Sequence, residues 1–225
     1  MKAIAVLPVK RFAAAKRRLA AGIDDERREA LVGAMLEDVL EAIGGARAIE
    51  RTIVVTDEAQ ASAAAAQVGA EIVPDPGGRA DPGGESGDES RGHSTAALTG
   101  IARAEEHGAE CVALLPGDCP LLDPRELDRL LTGVPSEYVA VVPDRHGTGT
   151  NALVLSPPRA IRPAFGDGSC ARHVEAARGA DIPFAVEGLP SLALDLDTPA
   201  DVVALTVELE RRPGRAKRTA KVLGI

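Results

Sequence analysis

The sequence contains very few aromatic residues. Its 225 residues include no tryptophan, one tyrosine and three phenylalanines, so aromatics make up only 2% of the chain. Proteins that bind single-stranded nucleic acids stack the bases on aromatic side chains, and this chain largely lacks them. The formal net charge of −8 argues against the same class, because binding to a phosphate backbone requires a positive surface. We therefore expect no nucleic-acid partner and a core built from alanine, valine, leucine and isoleucine.

Cysteines and long apolar runs are also scarce. The three cysteines, Cys111, Cys119 and Cys170, cannot all pair with one another and lack the clustered spacing of a zinc site. The apolar stretch at the start of the chain reaches Pro8 and is followed by a basic segment. It is too short for a signal peptide or a membrane span. These features predict reduced thiols, a cytoplasmic location and no membrane partner.

Segments with the pattern of strands alternate with segments with the pattern of helices along the whole chain. Strands are predicted over 3–9, 51–56, 69–74, 111–115, 138–143, 152–156, 182–186 and 192–194. Helices are predicted over 24–43, 57–68, 96–106, 124–131 and 172–178, with a last one starting at Thr198. This alternation predicts one α/β domain over 1–225, with a mostly parallel sheet flanked by helices.

Two segments fall outside this pattern. Residues 75–93 are rich in glycine, proline and charged residues, and long loops of this kind are usually functional or disordered. We interpret 75–93 as a mobile insertion whose last residues approach a helix. The basic stretch within 211–225 is interpreted as a solvated tail.

Two acidic segments follow predicted strands. Asp118 comes directly after the apolar run 111–115, on a short turn, where ligands of open α/β sheets bind. Asp195 and Asp197 lie two residues apart, so their side chains point the same way if the segment is extended. Three carboxylates suit Mg²⁺, and neutralising Asp118 is expected to relieve repulsion among them. The alternative is that Asp118 only caps a turn.

A basic loop follows the first strand and includes Lys10, Lys16 and Arg18. The cluster is local in an otherwise acidic protein, so it is a candidate phosphate site, with a solvated charged face about equally favoured. A P-loop motif is absent, so side chains would have to hold the phosphates. Ser94 precedes a predicted helix and is a further candidate nucleotide ligand.

Two glycine-rich loops carry neutral hydrogen-bonding groups. The first contains Thr148, Thr150 and Asn151, which could hold a carboxylate or phosphate, although a plain hairpin turn explains the composition equally well. The second runs from Gly166 to Ser169 and opens a helix, with Ser169 as its predicted N-cap. Together these loops predict a site for a small anion.

Acidic strand ends beside a basic loop suggest a metal-bound nucleoside triphosphate and a nucleotidyl transfer reaction. Lys16 and Asp118 are the candidate catalytic residues. An acceptor that is itself a phosphate monoester has a second pKa of about 6, so it is largely dianionic at neutral pH. Such an acceptor needs no general base, and the protein has only to align it and offset charge.

These motifs, taken together and in order, resemble those of a known family, the CofC/FbiD guanylyltransferases of coenzyme F420 biosynthesis. The resemblance covers nearly the whole chain. It is carried by Pro8–Lys10, Ala15–Leu19, Leu115–Leu121, Gly147–Asn151, Phe165–Ser169 and Leu194–Pro199. The stretch 91–95 departs from the shorter Gly-Leu-Asn loop expected there, so the resemblance does not predict which residues contact the base.

The resemblance implies a nucleotide-diphospho-sugar-transferase-like fold, with GTP and Mg²⁺ as co-substrate and cofactor. The implied reaction moves GMP onto phosphoenolpyruvate or 2-phospho-L-lactate and releases pyrophosphate, with the product passed to the next enzyme of that pathway. A homodimer is compatible with it. The implied metal ligands are Asp118, Asp195 and Asp197, and the implied acceptor ligands are Thr150, Gly166 and Ser169.

Other functions remain open at this stage. A molybdenum-cofactor guanylyltransferase or a sugar-phosphate nucleotidyltransferase would share the fold and the acids, although the Gly-Gly-x-Ser-x-Arg loop of the former is missing. A non-catalytic nucleotide-binding module is the alternative from another class. Among small acids, phosphoenolpyruvate, 2-phospho-L-lactate and 3-phosphoglycerate differ by little more than a double bond or a hydroxyl.

Overall fold

The structure is a computed structural model that describes residues 2–12, 16, 19, 24–77 and 86–225, the first helical residues 86–91 by their backbone alone. The strands in this part of the chain are β1 (Ala3–Pro8), β2 (Ile49–Val55), β3 (Glu71–Val73), β4 (Cys111–Leu114), β5 (Tyr138–Pro143), β6 (Thr150–Ser156) and β7 (Phe184–Val186). The helices are α1 (Asp25–Gly44), α2 (Ala59–Gln67), α3 (Ser86–Glu106), α4 (Pro124–Leu131), α5 (Ser169–Gly179), α6 (Pro199–Arg211) and α7 (Lys217–Leu223).

All described strands form one sheet in the order β3-β2-β1-β4-β6-β5-β7. The pairs β1–β2, β2–β3, β1–β4 and β5–β7 are parallel, whereas β6 runs antiparallel to both β4 and β5. The predicted mostly parallel α/β sheet is therefore confirmed. Leu114 near the end of β4 pairs with Leu153 near the start of β6. The reversal thus brings the first residues of β6 to the edge where β1 and β4 end.

The core has two layers, one on each face of the sheet. Alternate residues of β1 divide between them: Leu7 packs in the layer that contains α1, and Val6 packs in the layer that contains α3. Helix α3 lies directly on the sheet at Gly100, where an added Cβ would be 2.2 Å from Val6 Cγ1. Any larger side chain at that position would push the helix off the strands. As expected, aliphatic residues dominate both layers, with Phe12 the one buried aromatic in the described core.

Helix α3 begins ten residues earlier than predicted, at Ser86, so the later part of the segment 75–93 is helical. Residues 78–85 lie outside the described part. The glycines of this stretch favoured a loop in the sequence, but Gly92 serves a close contact. A Cβ on Gly92 would lie 3.2 Å from Lys10 Nζ, so glycine leaves room for that ammonium group.

The C-terminal segment is not a solvated tail, because α7 packs against α1. Thr219 is fully buried, and Asp38 on α1 accepts hydrogen bonds from its backbone amide at 2.8 Å and its hydroxyl at 2.7 Å. Arg218 pairs with Glu37 at 2.9 Å and with Glu41. The sequence does not reveal this pairing, because the acidic partners lie about 180 residues away from the basic residues.

Residues 192–194 were predicted as a strand and are irregular in the structure. Leu192 and Leu194 are buried in the core, which explains the alternating pattern, but they pair with no strand. The carbonyl of Leu192 instead accepts a hydrogen bond from Asn151 Nδ2 at 2.6 Å. The bounds predicted for α4 and β5 are confirmed to the residue. No helix in the described ranges is long and apolar enough to cross a membrane.

Candidate active site

Lys16 lies between two of the predicted acids. Its ammonium donates hydrogen bonds to the carboxylates of Asp118 and Asp197, and only 12% of its side chain is exposed. The solvated-face alternative is therefore wrong for Lys16. The backbone of Lys16 is in the left-handed region, with φ of 57°, a conformation that disfavours a side chain with a Cβ. The two acidic ends predicted from the sequence do meet, and they meet around this cation.

Local structure fixes both carboxylates. Asp118 follows the rigid turn after β4, where Gly117 passes close to Leu36 on α1. Asp197 precedes α6, whose capping box is made by Thr198 and Asp201. The Asp201 carboxylate accepts the backbone amide of Asp197 at 3.0 Å and that of Thr198 at 2.7 Å. The predicted start of this helix is thereby confirmed, and it determines where the Asp197 backbone lies.

The electrostatics keep Lys16 charged. Burial alone would lower the pKa of its ammonium, but the adjacent charges of Asp118 and Asp197 outweigh that effect and raise the pKa above its ordinary value. Neutralising Asp118 would relieve its repulsion of Asp195, as predicted, but a cation already offsets Asp118, so the relief has a counterpart. Neutralisation also removes a charge-assisted hydrogen bond.

Asp195 lies beside this group and is held by Asn151, whose Nδ2 donates to Asp195 Oδ1 at 3.2 Å. Burial raises the pKa of Asp195, and the negative charge of Asp118 adds to the effect. Asn151 thus orients an acid, a role different from the predicted contact with the acceptor. Within the described ranges, no group of three or more histidine, cysteine or acidic side chains is close enough to hold a metal. The magnesium site stays a prediction.

Lys10 forms a separate ion pair with the buried carboxylate of Asp75, at 2.6 Å. Next to it, burial lowers the pKa of His93 to about 4, so this imidazole is neutral at pH 7. The Cβ position of Gly92 lies 3.2 Å from Lys10 Nζ, so Lys10 lies beside the N-terminal part of α3, just after the end of β1. Arg18, the third predicted nucleotide ligand of the basic loop, lies outside the described residues.

The loop that contains Thr148 is a hairpin connecting β5 and β6. The prediction of a plain hairpin turn is therefore confirmed. That the loop also binds a ligand stays a prediction. The carboxylate of Asp144 accepts the backbone amides of His146, Thr148 and Gly149, each at 3.0 Å. A Cβ on Gly149 would lie 2.7 Å from Asp144 Oδ2, so a larger residue there would displace the carboxylate that holds the turn. The hairpin is thus a rigid support for the residues that follow it.

The two predicted anion loops lie against each other. The carbonyl of Thr148 accepts the backbone amide of Cys170 at 3.1 Å, which ties the hairpin to the start of α5. Ser169 is buried and is the first helical residue, so its predicted N-cap role is wrong. The cap position is Gly168, with φ of 69°, a left-handed conformation that glycine adopts without strain. The amide of Ser169 donates to the carbonyl of Gly166 at 3.0 Å.

Two further residues of this site were not predicted. His173 on α5 is fully buried and contacts Thr150, with 3.0 Å between its Nδ1 and Thr150 Oγ1. Phe165 packs edge-on between His93 and His173, with centroid distances of 4.9 and 5.3 Å. The backbone amide of Phe165 donates to Ser94 Oγ at 3.1 Å, which joins the predicted nucleotide residue Ser94 to the predicted acceptor loop. A histidine one helical turn after a glycine-rich loop was the available signal for His173.

The order of strands and helices is that of the nucleotide-diphospho-sugar-transferase fold. A solved structure from Desulfovibrio desulfuricans G20, provisionally called a nucleotide-diphospho-sugar transferase, superposes with a TM-score of 0.72. The alignment covers 99% of this chain and 94% of that one, at 16% sequence identity. At that identity the likeness concerns the fold alone.

The chain belongs to the family described as guanylyl transferase CofC like, whose model matches residues 1–83 and 86–219. The phosphoenolpyruvate guanylyltransferase of Conexibacter woesei is 41% identical over 226 residues, covering 99% of this chain and 96% of that protein. The 3-phospho-D-glycerate guanylyltransferase of Phenylobacterium zucineum is 37% identical, covering 97% and 94% respectively. The family resemblance found in the sequence motifs is confirmed.

Proposed function

We propose that this protein transfers GMP from GTP to phosphoenolpyruvate, releasing pyrophosphate, as a step in coenzyme F420 biosynthesis. The observation that carries the proposal is the meeting of two groups at one sheet edge. One is the buried Lys16 ammonium between Asp118 and Asp197, and the other is the pair of small-residue loops that meet where the Thr148 carbonyl accepts the backbone amide of Cys170. The first suits a triphosphate and the second suits a compact anionic acceptor.

Asn151 connects the two halves of this proposed site. It is the second residue of β6, directly after Thr150, and its side chain donates to Asp195 at 3.2 Å. Because β6 runs antiparallel to β4, Asn151 lies at the sheet edge where β4 ends and Asp118 follows it. The acceptor loops are therefore adjacent to the acids, as transfer between two bound substrates requires.

The reaction needs few groups from the protein. An oxygen of the acceptor phosphate attacks the α-phosphorus of GTP, the new P–O bond forms, and the bond between the α-phosphorus and the β-bridging oxygen breaks. The electron pair leaves with pyrophosphate, so no proton has to be removed from a dianionic acceptor. Lys16 offsets negative charge on the triphosphate, and the two loops hold the acceptor phosphate in line.

We further propose that Asp118, Asp195 and Asp197 would hold Mg²⁺ once the Lys16 ammonium turns from between Asp118 and Asp197 to the triphosphate, since the three carboxylates do not form a metal-binding group while it lies there. All three donors are hard carboxylate oxygens, the ligand type this ion prefers. The structure already places a cation, the Lys16 ammonium, between Asp118 and Asp197, and leaves Asp195 as a half-buried acid beside them. When bound, the ion would neutralise charge on the triphosphate and the leaving pyrophosphate.

The size and chemistry of the acceptor loops favour a phosphorylated three-carbon acid. The two loops consist largely of glycines and hydroxyl residues, and the Asp144 carboxylate is occupied by backbone amides of the hairpin. Relatives named for phosphoenolpyruvate and for 3-phospho-D-glycerate both match nearly the full chain. We place phosphoenolpyruvate first because the 41% identical relative carries that name.

A substrate matrix tests the proposal. The purified protein is incubated with Mg²⁺, each of GTP, ATP and CTP, and each of phosphoenolpyruvate, 2-phospho-L-lactate, 3-phosphoglycerate and glucose 1-phosphate, while pyrophosphate release is followed. We expect release with GTP and phosphoenolpyruvate and its loss when the metal is chelated. Release with a sugar phosphate alone, or release that needs no acceptor, would contradict the proposal.

A further inference from the structure

His173 connects the two loops of the acceptor site by one hydrogen bond on each ring nitrogen. Its Nε2 lies 2.8 Å from the backbone nitrogen of Ala164, and its Nδ1 lies 3.0 Å from Thr150 Oγ1. The ring is fully buried, and the edge-on contact with Phe165 fixes its orientation. The imidazole therefore joins the start of β6 to the loop that leads into α5.

The chemistry of these partners determines which nitrogen carries the proton. A backbone amide can only donate, so Nε2 must accept from Ala164 and has no hydrogen. In the neutral ring the proton is then on Nδ1, which donates to the Thr150 oxygen. Burial lowers the pKa of His173 to about 4, with the charge of Arg172 as a second cause, so the ring is neutral at pH 7.

This arrangement has a consequence for Thr150. Its oxygen accepts a hydrogen bond from the imidazole, so its own hydrogen is free to donate in another direction. A hydroxyl with a free donor suits a phosphate or carboxylate oxygen, because hydrogen bonds to charged acceptors are the stronger ones. If the imidazole accepted instead, the Thr150 hydrogen would be used within the protein.

We propose that His173 is a positioning residue, which orients the Thr150 hydroxyl as a hydrogen-bond donor to the anionic acceptor, its tautomer being set by the bond from Ala164. This inference rests on the proposed function, because it takes Thr150 as part of the acceptor site. His173 touches neither substrate. Its effect on the reaction passes through the two bonds that its ring makes.

Two substitutions separate these bonds. His173→Asn places an amide group near the position of Nδ1, so it retains a donor to Thr150 and loses the bond to Ala164. His173→Gln reaches the position of Nε2, so it retains an acceptor for Ala164 and loses the donor. We expect His173→Gln to raise the KM for phosphoenolpyruvate about 2- to 13-fold, the range for one neutral hydrogen bond. The KM for GTP should stay unchanged, and His173→Asn should retain most of the acceptor affinity.

A double variant tests whether His173 acts through Thr150. If it does, His173→Gln adds little to the acceptor KM once Thr150→Val is present, because the group it orients is gone. Additive effects of the two changes, or equal changes in the KM of both substrates in the two His173 variants, would overturn the proposal. Those outcomes describe a histidine that only supports the fold.

The protonated ring nitrogen of His173 can also be measured in the unmodified protein, where no substitution can disturb the fold. Nitrogen-15 NMR of histidine-labelled protein reports which ring nitrogen is protonated. We expect the His173 proton on Nδ1 and a bare Nε2 at pH 7, and the opposite tautomer would overturn the proposal. Failure of the proposed function would be seen separately, as a parent enzyme that releases no pyrophosphate with any phosphorylated acid.

Discussion

Replacing Lys16 by methionine tests the role of the cation between the acids. The substitution retains most of the side-chain length and removes the ammonium that bonds to Asp118 and Asp197. It leaves two carboxylates facing each other without a counter-charge. We expect the fold to persist, because β1 and β4 are held by their pairing in the sheet. The substitution should instead weaken the binding of the triphosphate.

The size of the effect follows from the contacts of Lys16. A hydrogen bond to a charged group is worth about 1.5–3 kcal/mol, which is about 13- to 160-fold in affinity. Lys16 already bonds to two acids, and about half of the Asp197 side chain is exposed, so binding GTP exchanges existing bonds and water screens part of the charge. The lower end of the range applies, and we expect the KM for GTP to rise about tenfold.

The assay is steady-state pyrophosphate release with GTP varied at saturating phosphoenolpyruvate, and the reverse. Lys2→Met is the matched control, because Lys2 precedes the opposite end of β1 and pairs with the exposed Glu50 at 3.2 Å. We expect the control to match the parent enzyme. An unchanged GTP dependence in Lys16→Met, or an equal rise in the acceptor KM, would refute a triphosphate role for Lys16.

Four further predictions follow from individual contacts. Asp118→Asn should abolish pyrophosphate release. It should also lower the free energy of unfolding by about 1–3 kcal/mol, since Lys16 loses a charged partner. Near-normal turnover at saturating Mg²⁺ would exclude Asp118 as a metal ligand. Ser169→Ala and Thr150→Val should each weaken phosphoenolpyruvate binding by tenfold or more in calorimetry on the GTP complex, while GTP binding stays constant. Because the pKa of His173 is about 4 in the folded protein and about 6.5 when unfolded, the unfolded chain takes up the proton first, and stability falls as pH decreases from 6.5 to 4. His173→Gln should reduce that fall by at most about 3 kcal/mol in urea denaturation, and an identical pH slope would contradict the assignment. Thr219→Val should cost about 1–3 kcal/mol in the same measurement, because the buried Asp38 carboxylate loses its hydroxyl donor at 2.7 Å.

Regular elements were predictable because their signals are local. The strand β5 and the helix α4, which starts at Pro124 after the capping residue Asp123, have the bounds that the pattern gave. Asp118 was placed at a sheet edge because an apolar run ends just before it. In each case the spacing of apolar residues, together with one residue at the end of the segment, indicates where the strand or helix begins or ends.

The remaining site depends on contacts between distant parts of the chain. Lys16 meets Asp118 and Asp197 across 102 and 181 residues, from a left-handed backbone position that no local pattern indicates. The start of α3 was missed because Gly92 was taken as a loop residue, whereas it makes room for Lys10. His173 was missed because the importance of a buried histidine depends on the partners of its two ring nitrogens.

The most direct test of the central claim is to follow the oxygen that forms the new bond. Phosphoenolpyruvate labelled with ¹⁸O at the three terminal oxygens of its phosphate is incubated with GTP, Mg²⁺ and the protein, and the product is examined by ³¹P NMR. Attack by the acceptor phosphate makes a labelled oxygen the bridge, so the phosphorus that came from GTP should show the ¹⁸O isotope shift. A nucleotide product whose guanosine phosphorus lacks that shift, or release of GMP with the acceptor intact, would contradict the account.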